Sequence, residues 1–142
     1  MQDQDITAAK LIGLALEEYC LVTNPKQSHH FSGSTEKIHH TIHAASQKYS
    51  HVLLPLKDLH FATAGVYPYS SELFTALWML TESGILITFW GSNGENWIER
   101  SIATDSQTCL DRWKQENFAD NFEGLTAFRN FAKDIGDALL LQ

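Results

Sequence analysis

Basic residues are scarce in this sequence. Ten Lys and Arg stand against seventeen Asp and Glu, for a formal net charge of −7 with His neutral. That charge opposes polyanionic partners and places nucleic acid below protein as an expected partner. Cysteine is sparse too. Cys20 and Cys109 lie far apart and in no metal-ligand spacing. They offer no disulfide framework, so a reducing, cytoplasmic setting is expected. No apolar run approaches the roughly 20 residues of a membrane-spanning helix. The polar start MQDQDITAAK has neither the basic nor the apolar region of a signal peptide.

Several chemical motifs are also missing. There is no Gly-x-Gly-x-x-Gly, no P-loop and no Gly-x-Ser-x-Gly elbow. The one glycine-rich loop, Gly91-Ser92-Asn93-Gly94, joins two expected strands and so lacks the helix N-terminus that binds phosphate. The acidic residues form no evident acid–base pair. The expectation is a non-enzymatic chain with no catalytic residue and no cofactor.

What is present reads as one domain, residues 1–142, with enough apolar and aromatic residues to bury a core without metals or disulfides. Ala8, Leu11, Ala15, Tyr19 and Val22 recur at helical spacing and predict a helix over 6–22, capped by Asp5 and closed by Asn24-Pro25. Residues 25–33 read as a loop. Ser34 then caps a second helix carrying Ile38, Ile42, Ala45 and Tyr49. Pro55 starts a short helix with Leu56, Leu59 and Ala62 inward and Gly65 just past its end. Ser70 caps a third helix, with Leu73, Ala76, Leu77 and Leu80 as its core stripe and Gly84 as its stop.

The period then changes. Ile85–Trp90 and Trp97–Ile102 read as two strands around a turn over 91–96, a β-hairpin. The tail from Asp105 onward is helical in two pieces. Leu110 and Trp113 anchor the first, while Phe118, Phe122, Leu125, Phe128, Ala132, Ile135 and Leu139 stripe the second. Gly124 and Gly136 weaken that second helix by about 1 kcal/mol each. The fold class expected is therefore mostly α with one β-hairpin (α+β).

The order short helix, tight turn, capped helix, hairpin resembles a winged helix-turn-helix. It is carried by Leu56-Lys57-Asp58-Leu59, by Tyr67-Pro68-Tyr69-Ser70-Ser71-Glu72-Leu73, and by Ala76-Leu77 with Leu80, Gly84 and Leu86. The phrase YPYSSELFTALWMLTESGILI is also similar to the C-terminal part of phage-associated antitoxin-like domains. The likeness covers about a third of the chain. It implies a winged-helix-like core over 54–102 with extra N- and C-terminal helices, and a regulatory or adaptor role.

In a winged helix that reads DNA, the second helix and the wing carry cations to the phosphates. Here that helix has Glu72 and Glu82 and no Lys or Arg, and the wing tip has Glu95. A protein partner, or a second copy of the chain, therefore ranks first. Phe74 and Trp78 on the third helix, with Phe118, Phe122 and Phe128 in the tail, are its candidate contacts, unless they pack within the chain. A DNA-binding regulator is the alternative, through Lys57, Ser71, Thr75 and Arg100. The second alternative is a metal-dependent enzyme. All seven His fall between residues 29 and 60, and His39 and His43 stand four apart on one helix, a spacing that can chelate zinc. No third ligand is committed to that pair, and a solvated helix face explains it as well.

Overall fold

The computed structural model describes residues 7–23, 31–82, 86–91, 94–99 and 106–139. Asp5, Pro25, Gly84 and Arg100 lie outside the described residues.

Helix α1 spans Ala8–Thr23. Its cap is Thr7, whose Oγ1 accepts from the Lys10 amide at 3.2 Å, as an N-cap hydroxyl does for the free amides of a first turn. Strand β1, Phe31–Ser34, follows. It runs directly into α2, Thr35–Tyr49, where Ser34 accepts from the Lys37 amide as expected. After a 3-10 helix over Leu54–Asp58 comes α3, Ser71–Glu82. Ser70 caps it, its Oγ accepting from the Leu73 amide at 3.1 Å. Strands β2, Leu86–Gly91, and β3, Gly94–Glu99, lead to α4, Ser106–Phe118, and α5, Phe122–Leu139.

The expected winged-helix core is overturned. Among the described residues, every buried side chain belongs to a helix or to a residue flanking one, and five α-helices supply most of them. The strands are not a two-stranded wing appended to a helix pair. They form a three-stranded antiparallel sheet in the order β1-β3-β2, with Phe31 opposite Glu99 and Leu86 opposite Glu99 from the other side. The expected first helix of the pair is a single 3-10 turn. It stops at Asp58 because the chain beyond Leu59 turns extended, and Ala62 exchanges two backbone hydrogen bonds with Tyr69, at 2.7 and 3.0 Å. Ala62 is exposed rather than inward. That 3-10 helix packs on α1 and α2, whereas α3 packs on α1 and β2. The fold class expected from the sequence, a mostly α chain whose hairpin forms a wing, is replaced by a five-helix assembly.

The core itself sits where α1, α2, α3 and α5 meet. Leu11, Ala15, Ile42, Leu56, Leu73, Phe128, Phe131 and Ile135 are among its deepest members. Fully burying an aliphatic or Phe side chain is worth roughly 1.5–3 kcal/mol, so this cluster drives the assembly. Helices α1 and α5, the first and the last, share the largest helix–helix contact. It depends on Gly136, where a β-carbon would collide with the Tyr19 ring. A second latch joins α2 to α5. Tyr49 donates to Asp134 Oδ2 at 2.6 Å, and Lys48 Nζ reaches the same oxygen at 3.1 Å.

The tail divides at Ala119-Asp120-Asn121, which puts Phe118 in α4 rather than in the second piece. Asn121 caps α5, its Oδ1 accepting from the Gly124 amide at 2.9 Å. Gly124 is the residue that lets this cap close, since a β-carbon there would collide with the Asn121 amide and the Phe118 ring.

Candidate functional site

The aromatic residues singled out from the sequence separate into core and surface. Phe128 is fully buried and packs 5.0 Å from the Trp113 ring. Phe118 stands edge-on to Trp113 at 5.4 Å and closes the same cluster. Phe128 therefore belongs to the core, while Phe118 is half-buried at its edge. Phe122, at the start of α5, is 80% exposed.

On α3 the buried stripe is Leu73, Ala76, Leu77 and Leu80, as the spacing predicts. The opposite face carries Ser71, Glu72, Thr75, Trp78, Met79 and Glu82, all exposed. Trp78 is 40% and Met79 47% exposed. Phe74 is half-buried at the edge of the core, its ring 6.1 Å from that of Trp78. Met79 belongs with this surface as well. Its place four residues beyond Thr75 was the available signal.

The flanks of that face are acidic and fixed. Glu72 accepts from the His60 backbone amide and the Ser70 hydroxyl, both at 3.0 Å. Those bonds, the His60 amide first, hold its carboxyl below the usual glutamate range. Of the residues assigned to the DNA alternative, Ser71 and Thr75 lie on this cation-free face, Lys57 lies exposed on the 3-10 helix, and Arg100 is outside the described residues.

His39 and His43 are positioned for packing. His39 is fully buried. Its Nδ1 lies 2.8 Å from the Thr35 carbonyl oxygen and its Nε2 3.2 Å from the Ser70 carbonyl oxygen. Its ring stacks on Tyr69 at 4.7 Å with 6° between the planes. Both ring nitrogens thus face carbonyl oxygens, and a metal would have to displace one of these contacts. His43 lies 4.8 Å from the Phe61 ring instead. Among the described residues, no three His, Cys, Asp or Glu converge as a metal set. His39 instead ties α2 to the turn that starts α3, a role the i,i+4 spacing did not reveal.

One feature was not visible in the sequence. Between α1 and α5 lies a cavity of about 370 Å³. Glu18 and Tyr19 line it from α1, and Arg129, Asn130, Ala132, Lys133 and Asp137 line it from α5. The Glu18 side chain is only 3% exposed. Lys114 on α4 donates to its Oε1 at 2.8 Å, and Arg129 Nε stands 3.5 Å from its Oε2. Oε2 itself has no hydrogen-bond donor among the described residues. Deeper along α5, Tyr19 donates to Asp137 Oδ1 and Lys133 to Asp137 Oδ2, both at 2.7 Å. These two bonds, that of Lys133 first, hold the Asp137 carboxyl below the usual aspartate range.

Among the described residues, no helix is long and apolar enough to cross a membrane. No protein-family model matches the chain, and neither the curated proteins nor the solved structures include a significant match to it, so the antitoxin-like resemblance gains no support from them.

Proposed function

We propose that this chain is a non-enzymatic binding domain that engages a protein partner through the outer face of α3. The observation that carries the reading is the exposure of Trp78 and Met79, 40% and 47%, on the face opposite the buried stripe. Trp is among the residues that most often dominate interface energetics, and Met suits adaptable contact surfaces. Glu72 and Glu82 flank the pair, and α3 has no Lys or Arg. The partner that fits is therefore a protein offering an apolar pocket ringed by Lys or Arg. A second copy of the chain fits less well. A two-fold interface would bring the same acidic flanks against each other. The two widely spaced cysteines suit a reducing, cytoplasmic setting for this role.

A photo-crosslinking residue placed at Met79, and separately at exposed Gln47 on α2, tests this in cells. The expected result is a discrete heterologous adduct from position 79 that is absent from position 47 and lost in a Trp78→Asp background. Identical products from both positions, no product from position 79, or an adduct of twice the chain mass would each overturn it.

A further inference from the structure

The α1–α5 cavity shares no residue with the α3 face and has a different character. We propose that it binds a small zwitterion of the α-amino-acid class, its carboxylate on Arg129 and Lys133 and its ammonium toward Glu18 and Asp137. The volume, about 370 Å³, lies within the range of small-molecule sites.

The charges in the lining are balanced, with two carboxylates and two cations. The lining pairs its own charges, Glu18 with Lys114 and Arg129 and Asp137 with Lys133, so a singly charged ligand would add an unbalanced charge. A ligand with both charges satisfies both pairs. Arg129 and Lys133 stand four apart on α5 and hence on one side of it. Each is steered from behind by a carboxylate, Arg129 by Glu18 and Lys133 by Asp137. Each still keeps more than half its side chain exposed, 54% and 71%, and so is open to a ligand carboxylate.

Glu18 supplies the second argument. A carboxylate buried to this degree normally has its oxygens hydrogen-bonded, because an unsatisfied buried acceptor is costly. Lys114 satisfies Oε1, but Oε2 has only Arg129 Nε at 3.5 Å and no hydrogen bond among the described residues. An ammonium group entering beside Arg129 supplies the missing donor. The Tyr19 ring and Ala132 add apolar wall for the ligand's side chain.

The test is a titration of the full chain, followed by NMR, with each standard L-amino acid. Two half-ligands, 3-phenylpropanoate and 2-phenylethylamine, serve as controls. At least one amino acid is expected to give saturable shifts centred on Arg129 and Lys133. The half-ligands should bind about tenfold or more weakly, since each forfeits a charge-assisted set of contacts. Asn130 lines the cavity from an exposed position. Asn130→Trp should therefore block binding while leaving the thermal midpoint unchanged, and Lys133→Met should weaken binding by a similar factor. Absence of saturable shifts with every amino acid overturns the proposal and leaves Glu18 a tie between α1 and α4. Half-ligands binding as well as the whole, or undiminished binding to Asn130→Trp, overturn it also.

Discussion

Gly136 lies directly under the ring of Tyr19, and the phenol of that same Tyr19 hydrogen-bonds to the next residue, Asp137. One side chain of α1 thus reads two consecutive positions of α5. Helix propensity alone says that Gly136→Ala stabilises α5 by about 1 kcal/mol. The packing says the opposite, because the new methyl would occupy the ring and overpacking costs about 1–3 kcal/mol. Urea denaturation should show a net loss of up to about 2 kcal/mol. A more stable variant would show that α1 and α5 do not meet this closely.

The phenylalanines of the tail separate by the same kind of measurement. Phe128 is fully buried against Trp113, so Phe128→Ala should cost about 3–5 kcal/mol. Phe122 is exposed, and Phe122→Ala should stay within about 0.5 kcal/mol of the parent. Equal effects would contradict the assignment of core and surface.

Acid should weaken the α1–α5 junction. Asp137 is held below its ordinary value of 3.8 by Lys133 and Tyr19, so the unfolded chain takes up this proton at a higher pH than the folded one. The contribution is present above pH 3.8 and is lost as pH falls through the lower folded value. Asp137→Asn should therefore flatten the fall in stability through that window. Half of the side chain is solvated, so the change is expected to be small in size and recognisable by its slope. A slope identical to the parent's would count against the junction as described.

Lys114→Met should isolate the buried Glu18 charge. Removing one partner of a buried pair costs about 3–5 kcal/mol, and the lower end is expected here because Arg129 remains nearby. Adding Glu18→Gln to Lys114→Met should recover much of the loss, since the uncompensated charge is then gone. A double variant as unstable as the sum of the two singles would rule out direct coupling.

The local features of this fold were legible because local chemistry writes them. Ser34 and Ser70 announce their helices as cap residues, and the stripes of α2 and α3 follow the period of the helix. The features that failed depend on distant partners. Strand β1 is four residues with a glycine, and nothing within Phe31–Ser34 says that it pairs with β3. The same gap made the Pro55 segment look like half of a helix pair, when the Ala62–Tyr69 bridge ends it after one turn. The bounds of the strand pair differ for a related reason. Gly91 pairs with Gly94, inside the 91–96 segment that the composition marked as a turn. At the sites, the exposed face of α3 was partly foreseen through Trp78. The cavity was not, because its lining comes from the first and the last helix and their meeting has no signature in spacing.

The pairing of α1 with α5 also sets a timetable for synthesis. The apolar face of α1 is complete by Thr23, yet the helix that makes the largest contact with it begins at Phe122. At about 5–20 residues per second, a ribosome needs roughly 5–20 s to cross that interval. Throughout it, the part of α1 that α5 covers stays open on the nascent chain, which makes that face the one a chaperone would be expected to hold and the synthesis of α5 the event that releases it.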